Sequence, residues 1–278
     1  MKYLIVGAKG QLGQELQNLL ESQRIEFIAF DADELDITNR EQVFETLQLI
    51  KPDIVFDAAA YTAVDAAEDE GKGLNWLVNA EGTKNLADAS AESGAVLVYV
   101  STDYVFDGTK EGEYLESDVP NPMNEYGKAK LAGEQAVLDS TAKAYIVRTS
   151  WVFGKYGNNF VFTMQKLAQK MDEITVVDDQ LGRPTWAKTL AEFMMHLTDV
   201  KAEYGIYNLS NDGVATWYDF AKEILRNESV LVKPVQSSEF PQKAYRPQKS
   251  VMSLKKAKRV GFNIPTWQEA LNLFLNDK

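Results

Sequence analysis

The stretch that decides the fold is Tyr3-Leu4-Ile5-Val6-Gly7-Ala8-Lys9-Gly10-Gln11-Leu12-Gly13. Its apolar start is typical of a short buried strand, and the leucines after it recur at helical spacing. Gly7 permits a tight turn, Gly10 lets the backbone approach a pyrophosphate, and Gly13 lets the helix pack closely on the sheet. This strand-to-helix context predicts a dinucleotide-binding loop. The residues expected to contact the cofactor here are Gly7, Lys9, Gly10, Gln11, Leu12 and Gly13.

The rest of the chain continues the alternation of strands and helices. Apolar runs predict further strands over residues 26–30, 53–57, 96–100 and 144–148. Helical spacing predicts helices over residues 43–50, 80–92, 128–138, 160–170, 186–197, 217–225 and 266–275. This order predicts an α/β protein with a Rossmann-type doubly wound parallel sheet. We expect residues 1–150 to form the NAD(P)-binding domain. Residues 151–278 would be mainly a smaller C-terminal substrate-binding lobe, with some segments returning to the main domain.

The composition excludes several kinds of chemistry. The 278 residues carry 29 Lys and Arg against 41 Asp and Glu, a net charge of −12, with no cysteine and one histidine, His196. The absence of cysteine rules out disulfides, thiolate nucleophiles and thiolate-bound metals. A single histidine rules out a multi-histidine metal site, and we predict no metal site. His196 lies among apolar residues of a predicted helix, which favours a structural role.

Charge and hydropathy also bear on location and partners. No apolar run reaches the roughly 18 residues that a membrane-spanning helix needs, and the N-terminal run is too short for a signal peptide. We therefore expect a cytoplasmic protein without a membrane partner. The acidic balance, with no basic stripe to offset it, disfavours nucleic acid as a partner.

Two residues near the glycine loop give opposite indications about the cofactor. Asp31 ends the second predicted strand, where a carboxylate can bind a ribose 2′-hydroxyl and repel a 2′-phosphate, which argues for NADH. Lys9 could instead receive a 2′-phosphate, which argues for NADPH, so the choice between NADPH and NADH stays open. Asp36 could meet the adenine edge, and a solvated turn is the simpler alternative for Asp31.

A tyrosine and a lysine four positions apart predict an acid catalyst. On a helix Tyr126 and Lys130 share one face, so the ammonium group can lower the pKa of the tyrosine from its usual value of about 10. Such a pair can give a proton to a carbonyl oxygen as a hydride reaches its carbon. Thr102 ends the fourth predicted strand, at the sheet edge where ligands bind, and its hydroxyl can orient the reacting oxygen. Taken singly, each group has a simpler interpretation as a solvated helix face or a strand-end cap.

Together these features resemble the extended short-chain dehydrogenases/reductases, and within them the enzymes that reduce dTDP-linked keto sugars. The resemblance covers nearly the whole chain. The GxxGxxG spacing is the short-chain variant of the dinucleotide-binding glycine motif. The segments that carry it are GQLG (10–13), DAAAYTAVD (57–65), STDYVFDG (101–108), YGKAK (126–130), RTSWVFG (148–154), GRPT (182–185) and RP (246–247).

This resemblance implies an activity and a set of site residues. The activity is NAD(P)H-dependent reduction of the C4 keto group of dTDP-4-dehydro-6-deoxy-L-mannose to dTDP-L-rhamnose, the last step in making that cell-wall sugar donor. Thr102, Tyr126 and Lys130 match the family's catalytic trio. Further cofactor contacts are implied for Ala58, Ala59, Tyr61, Asn79, Tyr126 and Lys130. Substrate contacts are implied for Thr102, Asp103, Tyr104, Trp151, Arg183 and Arg246, with the arginines binding the diphosphate.

Two other kinds of function stay open. Dehydratases of the same superfamily carry a glutamate after Thr-Asp, where this chain has Tyr104, and a tyrosine is a poor base at neutral pH. This argues against a 4,6-dehydratase, and an epimerase is a further alternative. A non-catalytic regulatory subunit can be built on the same fold, as in eukaryotic methionine adenosyltransferase. The intact set of Thr102, Tyr126 and Lys130 favours an enzyme.

Some members of the family dimerise around magnesium held by surface glutamates. Glu15 matches one of these positions, but Lys188 stands where the second carboxylate is expected. Because a lysine cannot ligate a hard cation, we expect no metal-bridged dimer and an exposed Glu15. A monomer, or a dimer of a different kind, is favoured.

Overall fold

The protein is described by a computed structural model covering residues 1–140, 143–240 and 242–276. The strands are β1 (Tyr3–Val6), β2 (Phe27–Phe30), β3 (Ile54–Asp57), β4 (Val96–Thr102), β5 (Ala144–Thr149), β6 (Val152–Phe153), β7 (Glu173–Val177), β8 (Leu181–Gly182), β9 (Thr185–Trp186), β10 (Gly205–Asn208), β11 (Ala215–Thr216) and β12 (Leu231–Val235). The helices are α1 (Gln11–Ser22), α2 (Arg40–Ile50), α3 (Lys72–Trp76), α4 (Thr83–Ser93), α5 (Glu125–Ser140), α6 (Phe160–Ala168), α7 (Ala187–Asp199), α8 (Trp217–Ile224), α9 (Lys255–Arg259) and α10 (Trp267–Asn276).

The central feature is a six-stranded sheet in the order β2-β1-β3-β4-β5-β10, with every neighbouring pair parallel. The strands follow the apolar runs because buried parallel strands face packed elements on both sides. The chain turns outward from β1 in both directions, so a crevice opens where the carboxyl ends of β1 and β3 part. The predicted α/β fold with a doubly wound parallel sheet is therefore confirmed.

Helices cover both faces of this sheet. Helices α1 and α7 bury one apolar stripe each, including Leu16 and Phe193, against one face. Helices α2, α4 and α5 cover the other face with side chains such as Leu47, Leu86 and Val137. Each stripe recurs at helical spacing, which is why the sequence pattern located these helices.

The second half of the chain contributes to two regions. Strand β10 extends the main sheet beside β5. A separate apolar cluster forms around Phe153, Phe220 and Phe274 between α6, α8 and α10. Strands β7 and β12 pair in parallel beside it. The division at residue 150 stays a prediction.

One predicted helix has different bounds. The helix expected over residues 80–92 begins at Lys72 and runs through a π-helical turn, Leu77–Gly82, into α4. The extra residue of a π turn shifts the apolar spacing, so periodicity recognised only the part beyond it. The two-residue strands β6, β8, β9 and β11 were not predicted, because two residues carry no periodicity.

The expectation that Glu15 is exposed is wrong. The side chain is 7% exposed, because the loop after β6 folds over the first turns of α1. Gly154 lies beside the Glu15 carboxylate, and Asn159 Nδ2 donates to Gln11 Oε1 at 3.1 Å. Lys188 is exposed, with Nζ 5.1 Å from the centre of the Trp186 ring. The absence of a metal-bridged dimer stays a prediction.

His196 has the structural surroundings expected of it. Its ring is half-buried on α7, Nε2 lies 2.8 Å from the Val260 carbonyl oxygen, and the ring packs beside Phe262. Over the described residues, no helix is both long enough and apolar enough to cross a membrane. Within the same ranges, no cluster of three or more His, Asp or Glu side chains is arranged to hold a metal ion.

Candidate active site

A cleft of two adjoining cavities lies at the carboxyl ends of β1, β3 and β4. The smaller, about 260 Å³, reaches from the glycine loop to Asp31 and Asp36. The larger, about 620 Å³, reaches from the same loop to Thr102 and Trp151. Gly10 and the segment 58–60 line both cavities, so a single extended ligand can occupy the two.

The glycine loop is built to admit a backbone-bound anion. Gly7 has φ +81°, and a Cβ there would lie 2.6 Å from the Ala59 nitrogen. A Cβ on Gly13 would lie 2.1 Å from the Gly7 carbonyl oxygen, so only glycine lets α1 start this close to β1. Helix α1 has Gly10 as its N-cap, without a capping side chain. Its first N–H groups and its dipole therefore fit the pyrophosphate of a dinucleotide.

The smaller cavity is acidic. Asp31 and Asp36 line it, and an Asp31 oxygen accepts from the Lys9 backbone N–H at 3.1 Å. The Lys9 ammonium pairs with Asp33 at 2.7 Å, and this pair raises the pKa of Lys9 and lowers that of Asp33. Asp36 binds the Thr38 hydroxyl and N–H. The only basic side chain predicted for this end is thus already paired.

Asn79 orders the loop that follows β3. It is fully buried in the π turn, where its amide binds both the N–H of Tyr61, at 3.1 Å, and the carbonyl oxygen of Tyr61, at 2.9 Å. Ala58, Ala59 and Tyr61 consequently line the cleft. Asn79 itself does not line it, so it acts through the loop.

Strand β4 and helix α5 bring the expected catalytic trio together. Thr102 ends β4, while Tyr126 and Lys130 lie one turn apart on α5, and all three line the larger cavity. Asn124 caps the helix by accepting from the Gly127 N–H at 2.7 Å. A Cβ on Gly127 would lie 2.2 Å from the Tyr104 carbonyl oxygen, so glycine lets α5 approach the end of β4.

The pKa of Tyr126 differs from the expectation. Burial and the neighbouring Asp103 carboxyl raise it above its usual value, and a hydrogen bond with Thr102 opposes the rise. The expected net lowering of the pKa of Tyr126 is therefore wrong for this structure, because desolvation of the phenol outweighs stabilisation of the phenolate by Lys130. A phenol in this state holds its proton at neutral pH and is available as an acid.

Lys130 is a buried amine between two carboxylates. It is 2% exposed, with Nζ 4.2 Å from the centre of the Tyr99 ring. Burial lowers its pKa to about 8, while the charges of Asp57 and Glu134 oppose the drop. Burial raises the pKa of Asp57 to about 6, opposed by Lys130 and the Ala59 N–H.

A chain of hydroxyl and carboxyl groups lies behind the trio. The Thr102 hydroxyl donates to Asp103 Oδ1 at 3.1 Å, and the Ser250 hydroxyl donates to Asp103 Oδ2 at 2.5 Å. Burial raises the pKa of Asp103 to about 7, and these two hydrogen bonds oppose the rise. The sequence indicated Asp103 but not Ser250, which lies 147 residues further along the chain.

The far end of the cleft is aromatic. Trp151 lines it at φ +49°, a left-handed backbone conformation that non-glycine residues rarely adopt. Its ring stacks on Trp217 with centroids 3.7 Å apart and planes 13° apart. Both rings line the larger cavity, so they form an aromatic wall that a sugar can contact. Trp217 was not predicted, since nothing in its local sequence distinguishes it from a core residue.

The two arginines are held by carboxylates. Arg183 is buried, with contacts to Glu113 at 2.6 Å and Asp212 at 3.3 Å, and it does not line the cleft. Arg246 binds both oxygens of Asp65, at 2.9 and 2.8 Å, and hydrogen-bonds Tyr104. Arg246 therefore contacts Tyr104, which lines the cleft. The backbone carbonyl oxygen of Arg183 accepts from the Ser150 hydroxyl, so Arg183 supports the segment around Ser150.

Other residues of the larger cavity were also not predicted. They come from loops, strands and helix α7, which the chain brings together only on folding: Thr62, Val64, Val100, Ser101, Thr149, Ser150, Val152, Gly157, Asn158 and Leu190. The position of Thr149 and Ser150 could have been predicted indirectly. They lie at the carboxyl end of β5, which pairs in parallel with β4, so this end faces the same crevice.

The fold and the cleft together define a Rossmann-type dinucleotide-binding protein of the extended short-chain dehydrogenase/reductase class. The chain belongs to the family described as RmlD substrate binding domain, whose model matches residues 1–278. The expected resemblance is confirmed.

Known relatives and solved structures agree with this assignment. A dTDP-4-dehydrorhamnose reductase of Aggregatibacter actinomycetemcomitans is 40% identical over 97% of both chains. The structure of dTDP-4-dehydrorhamnose reductase from Bacillus anthracis in complex with NADP has a TM-score of 0.96 and 44% identity, covering 100% of this chain and 99% of that chain. The corresponding structure from Clostridium acetobutylicum has a TM-score of 0.96 and 42% identity, covering 99% of each chain.

Proposed function

We propose that this protein is an NAD(P)H-dependent oxidoreductase that reduces the C4 keto group of dTDP-4-dehydrorhamnose to give dTDP-L-rhamnose. The observation that carries this proposal is the position of Thr102, Tyr126 and Lys130 in one cavity that continues into the glycine-loop cavity. Close relatives bear the name of this activity over the full length of the chain.

The nicotinamide cofactor supplies the hydride. Gly7, Gly10 and the first turn of α1 hold its pyrophosphate, and Asp31 faces its adenosine ribose. Thr102 hydrogen-bonds the substrate carbonyl oxygen, and Tyr126 transfers its phenolic proton to that oxygen as the carbon is reduced. The C4 ketone becomes a secondary alcohol with new C–H and O–H bonds, and Tyr126 is left as a phenolate.

Lys130 makes that proton transfer favourable. A phenolate next to a buried ammonium group is stabilised by direct charge attraction in a low-dielectric site. The charges of Asp57 and Glu134 help to keep Lys130 protonated near neutral pH. The stacked Trp151 and Trp217 rings receive the sugar.

Two alternatives are less well supported, and a third, an epimerase, differs in the outcome of the assay. Elimination of water by a 4,6-dehydratase needs a base after Thr102-Asp103. Burial raises the pKa of Tyr104, so even less of it is the phenolate that could act as a base at neutral pH. A non-catalytic subunit would not require a buried Lys130 facing the same cavity as Tyr126. An epimerase would cycle its cofactor without net consumption.

Several predictions about the protein's surroundings belong with this proposal. We propose a cytoplasmic monomer that acts on a nucleotide sugar without nucleic acid, membrane or metal partners. The acidic composition supports the exclusion of nucleic acid, and the exposed Lys188, which stands where a second carboxylate is expected, supports the exclusion of a bridging metal.

The direct test is an assay of purified protein with dTDP-4-dehydrorhamnose and either NADH or NADPH, following loss of absorbance at the nicotinamide band. We expect stoichiometric oxidation of the cofactor with formation of one sugar product. No oxidation of either cofactor would overturn the proposal.

A further inference from the structure

The position of Ser250 at the back of the catalytic trio has no role in the reaction described so far. Its side chain is buried, and its hydroxyl donates to Asp103. The backbone of its segment is fixed on both sides. Ser250 N–H donates to the Leu181 carbonyl oxygen at 3.1 Å, and Tyr114 N–H donates to the Val251 carbonyl oxygen at 2.8 Å. The hydroxyl therefore reaches Asp103 from a rigid support.

Asp103 in turn controls the hydrogen of Thr102. A hydroxyl has one hydrogen to donate and two lone pairs that accept. The Thr102 hydrogen goes to Asp103 Oδ1, and one lone pair accepts from the Tyr104 N–H at 3.2 Å. In this arrangement Thr102 can accept from Tyr126 but has no hydrogen left for a substrate carbonyl.

Resting on the proposed reduction, we propose that Ser250 is a positioning residue for the reaction. By donating to Asp103 Oδ2, its hydroxyl holds the carboxyl so that Oδ1 sets the direction of the Thr102 hydrogen. When Asp103 carries a proton on Oδ1, that proton is donated to Thr102, and the Thr102 hydrogen is free to bind the substrate oxygen.

The surroundings of Asp103 allow both forms near neutral pH. Burial raises its pKa to about 7, and the Ser250 and Thr102 hydrogen bonds hold it from rising further. The titratable groups that face it are Tyr104 and Tyr126, whose pKa values are both raised, so both stay neutral. Arg246 reaches the Tyr104 hydroxyl. Removing the Ser250 hydroxyl destabilises the carboxylate and favours the protonated form.

Ser253 provides a matched control on the same segment. It is fully buried like Ser250, but its hydroxyl finds no hydrogen-bond partner among the described residues. Ser253→Ala and Ser250→Ala therefore remove the same atom from equally buried sites, and only Ser250→Ala breaks a link to the trio.

Carboxyl ¹³C NMR of the whole protein, with Asp103→Asn to assign the signal, tests the link without substrate. We expect Ser250→Ala to raise the Asp103 titration midpoint by about one pH unit and Ser253→Ala to leave it unchanged. In turnover below pH 7, where Asp103 is protonated in both proteins, Ser250→Ala should lower kcat by about tenfold with little change in KM, because the carboxyl is no longer held in position. The part of the pH profile that follows Asp103 should move upward.

The inference is overturned if the Asp103 midpoint does not move in Ser250→Ala, or if Ser253→Ala changes kcat equally. A wild-type protein that oxidises no cofactor would instead overturn the proposed function. The NMR titration would still decide whether Ser250 controls Asp103.

Discussion

At the scale of single residues, the site combines groups whose pKa values are moved by burial. Lys130 becomes a weaker base, whereas Asp57 and Asp103 become weaker acids. Tyr126 is kept protonated by burial and by the Asp103 carboxyl. The sequence indicates Lys130, Asp103 and Tyr126 but not these directions, because burial in a particular cavity is a property of the folded chain.

Tyr126→Phe should remove most of the turnover, by about 10² to 10⁴-fold, because it removes the hydroxyl proposed to give the proton. Cofactor binding, measured by quenching of protein fluorescence, should change little, since Phe keeps the ring. Tyr218→Phe on α8 outside the cavity is the control. Full activity in Tyr126→Phe would show that the acid is a different group.

The pH dependence should follow Lys130. Its charged form stabilises the phenolate, so the fall in kcat/KM that begins with loss of the Asp103 proton near pH 7 should steepen near pH 8, where the amine loses its proton. In Asp57→Asn a negative charge that favours the ammonium form is lost, and this steepening should move to lower pH. Asp53→Asn, which changes an exposed carboxylate near Met1, should leave the profile in place. If the fall in kcat/KM steepens at the same pH in Asp57→Asn as in the wild type, Lys130 is not the group responsible for the steepening.

Asp33 should affect the choice of cofactor. Its carboxylate forms an ion pair with the Lys9 ammonium group. Asp33→Asn removes this pair, so the ammonium group can bind a 2′-phosphate. Because the pair is exposed, the change in the ratio of the dissociation constants for NADPH and NADH should be a few-fold, in favour of NADPH. An unchanged ratio would mean that Lys9 does not reach the ribose.

At the scale of elements, the strand-to-helix unit of β1 and α1 and the pairing of β4 with α5 form the site. The sequence predicts them because each is a long periodic segment with a diagnostic loop. It does not predict the contribution of Trp217, the first residue of α8, or of Ser250, which lies in a loop, since both are far along the chain from the rest of the site. Their positions depend on packing against distant residues such as Trp151 and Asp103.

The close approach of α1 to β1 can be tested with one methyl group. Gly13→Ala places a Cβ 2.1 Å from the Gly7 carbonyl oxygen, so the loop must shift, and dinucleotide affinity should fall at least tenfold. Gly73→Ala adds the same atom to helix α3, where nothing lies within 4 Å, and should preserve binding. Isothermal titration with NADH compares the two. Equal affinities would show that the glycine loop does not hold the cofactor.

At the scale of the whole molecule, an acidic chain is proposed to bind two anionic ligands. The sequence predicts a positive pocket made by the glycine-loop amides, Lys130, Arg183 and Arg246, but both arginines are paired with carboxylates in the structure. The attraction for phosphate then comes mainly from the N–H groups and dipole of α1, with Lys130 deeper in the cleft. The fold was predictable from its periodic elements, whereas this balance of charges was not.

The central claim is transfer of a hydride to C4 of the sugar. The most direct measurement uses dTDP-4-dehydrorhamnose with NADH or NADPH deuterated at the transferable C4 position, followed by NMR of the sugar product. We predict dTDP-L-rhamnose carrying one deuterium at C4, with one cofactor oxidised per sugar. A product without deuterium at C4, or a sugar isomerised without net cofactor oxidation, would contradict it.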